Sequence, residues 1–367
     1  MRNFIIVFLL WILPLANLNA TSASEAEFTC PVCSTKCKGM EIMSTNSFGG
    51  QDRDFFNRAN GAQVIEIAPI SCPKCLYSGY SNDFKKASLS DELKKKILDE
   101  KPFEKPDVSK SNMDAAVRKL ENENIEKTPR SMPAWAKTDL IVQRMVLEKR
   151  SSYEISFMTM TCSWCVRMEE NPFRVISGFS KDEEAWVDEK AKALSGDQRP
   201  KNRALFEIRL AQNLLDAWDA IPENRRKISA TVIGNMLRTH GENELLLASI
   251  PKLKTAFPEE EWKKLEQQLR DSIALEGKYQ KKAISSLDAV LGSDDELKKL
   301  KKGEPAILTY LRGELYRRLG DKENAMKNFN DAEKLPDAPG WLKEYIKEQK
   351  ALCEKIPLAK VKNDGKD

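Results

Sequence analysis

Length, composition and charge limit the classes of protein to which this chain can belong. Its 367 residues include 32% charged and 41% hydrophobic residues, a balance typical of a soluble, helix-rich protein. The 60 basic and 56 acidic residues leave a net charge of +4, which argues against nucleic acid or an anionic membrane as partner. Both of those partners usually require a concentrated basic face.

Histidine chemistry is limited to one position, because His240 is the only histidine. Multi-histidine metal sites are therefore excluded, and an enzyme built on a Ser-His or Cys-His pair would have to use this residue. Gly241 follows it, and glycine commonly stands where helices end. We therefore expect His240 to be a cation at the C-terminal end of a helix.

The first 20 residues have the pattern of a secretory signal peptide. Arg2 provides the positive end, residues 4–16 form an unbroken apolar run, and small or polar residues follow. The run is shorter than the ~20 residues that span a bilayer. We expect cleavage after Ala20 or Ala23, export to the periplasm or the medium, and no stable membrane span afterwards. An uncleaved membrane anchor is the alternative.

Four cysteines in the N-terminal region form two Cys-Pro-x-Cys pairs. These are Cys30 with Cys33 and Cys72 with Cys75. Each turn directs two thiolates at one point, and two such turns provide the four-sulfur set that structural zinc prefers. In an oxidising compartment the same thiols could instead form two disulfides, and four thiolates could also hold iron. The sequence predicts structural Zn²⁺ on these four residues.

The segment between the two pairs is less informative. Residues 63–67 have the pattern of a short strand. Asp52 and Asp54, which follow two glycines, are expected to cap a turn, with a second polar site as the alternative. Cys37 is either a free thiol or a competing metal ligand.

Residues 28–84 resemble a bacterial family of unknown function. The resemblance rests on Cys30-Pro-Val-Cys33, on the Ser-Thr-Asn-Ser-Phe-Gly-Gly-Gln-Asp-Arg-Asp-Phe stretch at 44–55, and on Cys72-Pro-Lys-Cys75-Leu-Tyr-Ser-Gly-Tyr-Ser-Asn-Asp-Phe84. It implies a zinc ribbon fused to a helical region similar to tetratricopeptide (TPR) repeats, without enzymatic activity. The residue after the second cysteine of a ribbon knuckle, usually glycine, is here Ser34 and Leu76.

Amphipathic helices dominate the remainder of the chain. Residues 204–218, for example, place apolar side chains at spacings of four and three, which is one face of a helix. We divide the chain into a signal peptide (1–20), a zinc-ribbon-like domain (28–84), a linker with helices (85–133), a TPR-like helical domain (134–356) and a disordered tail (357–367).

The clearest repeat lies at 310–335. Its glycine, alanine and aromatic positions match the TPR pattern in type and spacing: Gly313, Tyr316, Gly320, Ala325, Phe329 and Ala332. Helical arrays of this type present one face to a protein or peptide partner. Tyr310, Glu314 and Arg317 share a face distinct from the packing residues, and we expect them to face that partner. A solvated charged face is the alternative.

A second Cys-x-x-Cys motif allows a different function. Cys162 and Cys165 could open a helix after a strand, as in thioredoxin-like thiol–disulfide oxidoreductases. They also fall on one apolar helical stripe with Ile155 and Met158, which favours core packing or a structural disulfide. A role as further metal ligands is the remaining alternative.

The sequence therefore predicts a mainly α protein, in which a small N-terminal zinc ribbon of short strands precedes a TPR-like α-helical array. We expect an exported scaffold or binding protein and not an enzyme. An extracytoplasmic oxidoreductase that uses Cys162 and Cys165 is the alternative.

Overall fold

The computed structural model describes residues 21–59, 61–85, 89–109, 111, 132–174, 181–195 and 203–355. The predicted signal peptide and C-terminal tail lie outside these residues, as does most of the second half of the predicted linker. Among the described residues, no helix combines the length and the hydropathy that a membrane crossing requires.

The N-terminal region contains three small antiparallel sheets of two strands each. In order they are β1–β2, β3–β4 and β5–β6, and the first is the longest, with Phe28 opposite Cys37. The strands and the two short helices of this region are β1 (Ser22–Thr29), β2 (Lys36–Ser44), β3 (Gly50–Gln51), β4 (Asn57–Arg58), α1 (Val64–Ile67), β5 (Ile70–Ser71), β6 (Ser78–Gly79) and α2 (Ser81–Lys85).

The strand predicted at residues 63–67 is wrong, because this segment contains the helix α1. Gln63 holds the preceding backbone in a turn, since its amide accepts from Ala59 N at 3.0 Å and donates to Ala59 O at 2.9 Å. A strand at this position would also need a partner, and the described residues provide none.

Helices form the rest of the described chain and confirm the predicted mainly α class, with short strands confined to the N-terminal region. They are α3 (Asp91–Glu100), α4 (Ala134–Leu147), α5 (Ser152–Glu169), α6 (Lys181–Ser195), α7 (Arg203–Asp216), α8 (Glu223–Thr239), α9 (Asn243–Leu253), α10 (Glu259–Leu291), α11 (Asp294–Leu297), α12 (Glu304–Arg318), α13 (Lys322–Lys334) and α14 (Gly340–Lys355), with single 3₁₀ turns at Trp218–Ala220 and Lys254–Ala256.

One hydrophobic core joins the N-terminal region to the helices. Phe28 of β1 and Tyr77, which precedes β6, are buried in the same cluster as Trp135 of α4, Cys165 of α5 and Tyr279 of α10. The 33-residue helix α10 packs along α5 and also contacts α12. Because burial of apolar side chains is the main favourable term in folding, this shared core couples the two regions energetically.

The helices α12 and α13 form the hairpin expected from the repeat at 310–335. A Cβ added at Gly313 would lie 2.9 Å from the Phe329 ring, so glycine allows this close approach. Gly320 adopts φ = +78° at the turn, a conformation that favours glycine. Ala325 and Phe329 are completely buried, as expected for residues of the seam.

Candidate metal centre and buried ion-pair network

The four cysteines of the two Cys-Pro-x-Cys motifs lie together. Their Sγ atoms are all within 4.8 Å of one another, with 3.6 Å between Cys30 and Cys75 and 3.4 Å between Cys33 and Cys72. A tetrahedral ion with bonds of about 2.3 Å separates its sulfur ligands by about 3.8 Å. The four thiols therefore fit a four-sulfur metal site.

The two knuckles have the same backbone geometry. Ser34 N donates to Cys30 O at 3.0 Å, and Leu76 N donates to Cys72 O at 2.9 Å. Ser34 and Leu76 both adopt the left-handed conformation, with φ of 59° and 58°, at the position where glycine is usual. The departures from glycine noted in the sequence are thus accommodated, at a conformational cost of about 1–2 kcal/mol per residue.

The clustered thiols influence the ionisation of one another. Hydrogen bonding from Cys30 lowers the pKa of Cys72, while the interaction with Cys72 raises the pKa of Cys30 to about 12. Hydrogen bonding to Cys30 and Cys72 raises the pKa of Cys75 as well. Ionisation of one thiol therefore opposes ionisation of its neighbours, and several thiolates can coexist only when a metal ion balances their charge.

Cys37 lies on β2 near this cluster but outside the set of four. Its side chain is buried, and its Sγ lies 3.5 Å from Thr35 O. The pKa of the Cys37 thiol is raised, mainly by interaction with Cys72 and secondly by burial. It is a free thiol in the structure, as are the other seven cysteines.

Cys162 and Cys165 lie in the middle of α5, not at a junction between a strand and a helix. Both side chains are completely buried in the core shared with the N-terminal region, and burial raises the pKa of both thiols well above its ordinary value. The predicted placement of the two cysteines on a helix and in the core is confirmed.

The Gln-Asp-Arg-Asp segment that follows the first knuckle enters a buried network of charged side chains. Asp52 accepts hydrogen bonds from Arg58 Nε at 3.0 Å and lies 2.9 Å from His240 Nδ1. The other imidazole nitrogen, Nε2, lies 2.8 Å from Glu207 Oε2. Asp52 therefore belongs to a buried polar site, which was the alternative to a turn-capping role. His240 lies at the C-terminal end of α8, as predicted.

Asp54 extends the network into the helical region. It accepts from Arg167 Nη2 at 2.6 Å and from Trp164 Nε1 at 3.0 Å, both on α5. Arg167 also donates to Glu276 of α10 at 2.9 Å, and Glu276 in turn accepts from Arg238 of α8. All four of these charged groups, Asp54, Arg167, Arg238 and Glu276, are completely shielded from solvent.

Tyr310, Glu314 and Arg317 belong to this interior and do not face solvent, so the expectation that they contact a partner is wrong. Their exposed fractions are 0%, 0% and 2%. Tyr310 donates its hydroxyl to Arg53 O at 2.9 Å, and Arg317 donates to Glu314 at 2.8 Å and to Glu242 at 3.1 Å. The three side chains do share a face, but the N-terminal region and Glu242, the residue before α9, contact it.

Opposite charges in this network balance. The carboxylates are Asp52, Asp54, Glu207, Glu242, Glu276 and Glu314, and the cations are Arg58, Arg167, Arg238, Arg317, Arg318 and a protonated His240. The meeting of these arginines with Glu276 could not be predicted from the sequence, because they lie on β4, α5, α8, α10 and α12, which are far apart along the chain. Within the sequence, the local indication of this network was the Asp-Arg-Asp segment at residues 52–54, which follows two glycines.

Comparison with known proteins identifies a family for the first half of the chain. Residues 23–197 match the model of a family described as "Uncharacterized protein conserved in bacteria (DUF2225)". No curated protein and no solved structure matches the chain. The matched segment contains the four clustered cysteines, Asp52, Asp54, Arg58 and Arg167. Residues 23–197 are therefore similar to this uncharacterized bacterial family.

Proposed function

We propose that this protein is an exported, non-enzymatic scaffold or binding protein. A structural Zn²⁺ ion on Cys30, Cys33, Cys72 and Cys75 would stabilise the N-terminal ribbon, and the TPR-like helical region would recruit a protein or peptide partner. The observation that carries this proposal is that the side chains best suited to catalysis are held inside the protein. His240 is clamped between two carboxylates, and the thiols of Cys162 and Cys165 are completely buried.

The choice of zinc follows from the donor set. Four thiolates in tetrahedral arrangement suit zinc, which has no redox chemistry and commonly stabilises small domains. Metal analysis of the mature protein, purified without chelators, tests this point. We expect about one zinc per chain; a stoichiometric iron content, or no metal together with loss of free thiols, would contradict it.

A groove between α6 and α7 supports partner binding by the helical region. It has a volume of about 540 Å³, and its walls are mostly apolar, with Trp186, Leu210, Leu214 and Ile221 among the lining residues. Amphipathic helices or apolar peptide segments commonly bind in such grooves, with side chains spaced by three or four residues as anchors. We therefore propose this groove as the binding surface, in place of the buried residues Tyr310, Glu314 and Arg317 of α12.

Site-specific photo-crosslinking in the producing bacterium tests this proposal. A photoreactive residue at Lys190, which lines the groove, should give a discrete adduct in the extracytoplasmic fraction. The same residue at Lys263, an exposed position on α10, serves as control and should give none. If the protein remains cytoplasmic, export is refuted; if Lys190 gives no adduct, the groove is not the binding surface.

An extracytoplasmic thiol–disulfide oxidoreductase is the alternative. Such enzymes rely on an accessible thiolate of low pKa, whereas burial raises the pKa of Cys162 and Cys165. An insulin-reduction assay separates the two functions. The binding protein should show no activity either as wild type or as Cys162→Ser, whereas activity that disappears in the variant would favour the oxidoreductase.

A further inference from the structure

A polar cavity lies where the N-terminal region meets the helices. Its volume is about 320 Å³, and the residues that line it lie before β3, on and after β4, on and after α5, on α7, and at the C-terminal end of α8. This volume is within the range of small-molecule sites, which begins at about 300 Å³. The charged and polar side chains among the lining residues are Arg58, Gln63, Arg174, Glu207, Asn235 and His240.

Two hydrogen-bond donors at this cavity are incompletely used. The Arg58 side chain is only 7% exposed; its Nε and Nη2 contact Asp52, but its Nη1 contacts only the thioether of Met168, at 3.3 Å. A thioether sulfur is a weak acceptor for a guanidinium group. The carboxamide oxygen of Asn235 accepts from Asn171 at 2.9 Å, and its Nδ2 has no acceptor within the described part of the chain.

An anionic acceptor lies in the same cavity. Glu207 Oε2 is 2.8 Å from His240 Nε2, and the Glu207 side chain remains 17% exposed. A carboxylate offers about four lone-pair positions, so it can accept from a ligand as well as from its protein partners. The cavity thus contains both donors and an acceptor for a bound molecule.

The charges around the cavity balance. Arg58 pairs with Asp52, Arg174 with Glu66, and His240 lies between Asp52 and Glu207. Because both imidazole nitrogens face carboxylates, His240 carries two N–H groups and a positive charge. A ligand with a net charge would bring an uncompensated charge into this partly enclosed space, which is costly. A ligand with one positive and one negative group keeps the balance.

We propose that this cavity binds a small zwitterion of the α-amino acid class. Its carboxylate lies on Arg58 Nη1 and Asn235 Nδ2, and its ammonium group lies on Glu207. Met168 and Met236 also line the cavity and provide apolar contact for a short side chain.

Calorimetric titration of the full-length mature protein with glycine, L-alanine and L-methionine tests this inference. At least one of these should bind with a measurable Kd. Acetate carries only the carboxylate and ethylammonium only the cation, so each should bind at least about tenfold more weakly than the best zwitterion. Failure of all three amino acids to bind, or binding of acetate as tight as that of the zwitterion, would overturn the proposal.

An isosteric variant then locates the site. Asn235→Asp preserves the acceptor for Asn171 but places an acidic oxygen where the Nδ2 donor was, so zwitterion affinity should fall at least about tenfold. Asn213→Asp, an exposed position on α7, introduces the same change away from the cavity and should leave affinity unchanged. Equal affinity of both variants would place the binding elsewhere. Should Asn235→Asp not fold, Asn235→Ala removes the same donor without adding charge.

Discussion

His240 Nδ1 lies 2.9 Å from Asp52 Oδ1, although the two residues are 188 positions apart. Asp52 follows the first cysteine knuckle, and His240 ends α8. The contact therefore connects the N-terminal region directly to the helices beyond α5. Since Glu207 binds the other imidazole nitrogen, His240 is a buried imidazolium held by two carboxylates.

Asp52→Asn should destabilise the whole protein. The variant keeps the shape of the side chain but leaves the Arg58 guanidinium and the His240 imidazolium with an uncompensated buried charge. Removing one partner from a buried ion pair typically costs about 3–5 kcal/mol. Denaturant unfolding measures the loss, with the exposed Asp219→Asn as a control that should change stability by less than about 0.5 kcal/mol. Equal stability of the two variants would show that the network contributes little.

The stability that His240 contributes should decrease as pH rises. Burial opposes its charge, but Asp52 and the hydrogen bonds to Asp52 and Glu207 outweigh this effect and raise the pKa of His240. The other charged neighbours are Arg58, beside Asp52, and Arg318, which donates to His240 O at 2.8 Å. Because the pKa is higher in the folded than in the unfolded protein, the stabilisation by His240 is complete below the unfolded-state pKa of about 6.5. It is lost as pH rises through the folded-state pKa.

Unfolding free energies of the wild type and His240→Asn, measured from about pH 5.5 to about pH 9, test this sign. The difference between the two proteins should be largest at the acidic end and should diminish toward the alkaline end. A difference that grows with pH would mean that the imidazole is neutral in the folded protein.

The cluster of four cysteines could be predicted from sequence because its determinants are local. Each Cys-Pro-x-Cys turn places its own two thiols, and only the meeting of two turns had to be inferred. Both Cys-Pro-x-Cys turns accommodate a residue other than glycine, Ser34 or Leu76, at the position after the second cysteine. The spacing of the cysteines was therefore a better indicator of the cluster than the residues that flank them.

The partner-facing residues could not be predicted, because the orientation of a helix depends on distant segments. Helical periodicity correctly placed Tyr310, Glu314 and Arg317 on one face. It could not show that Arg53, more than 250 positions earlier, would cover Tyr310 and that Glu242 would pair with Arg317. Charged residues normally lie at the surface, so an interior built from ion pairs contradicts the usual expectation.

Metal removal should loosen helices as well as the ribbon. Cys72 and Tyr77 share one core with Trp135 and Leu140 of α4, so loss of the four-thiol site exposes part of the surface on which α4 packs. Structural zinc contributes on the order of 10–16 kcal/mol in zinc-finger peptides. Hydrogen exchange after chelation should therefore accelerate in β5 and in α4, and less in α13, which belongs to another cluster.

Acceleration confined to residues 28–84 would contradict this coupling. Cys353→Ser provides the matched control for Cys72→Ser, because Cys353 is also buried but lies outside the four-thiol site. The control should keep the metal content and the exchange pattern of α4, whereas Cys72→Ser should lose both.

Gly313→Ala should destabilise the α12–α13 hairpin. The added methyl group would lie 2.9 Å from two atoms of the Phe329 ring and 3.0 Å from Asn328 Cβ. Overpacking of this kind costs about 1–3 kcal/mol, which exceeds the gain of about 1 kcal/mol in helix propensity. Gly340→Ala is the matched control at the start of α14, since nothing lies within 4 Å of a Cβ there. Thermal unfolding should show a lower Tm for Gly313→Ala and an equal or higher Tm for Gly340→Ala. If both variants gained stability, helix propensity alone would govern these positions and the close approach to Phe329 would not restrict residue 313.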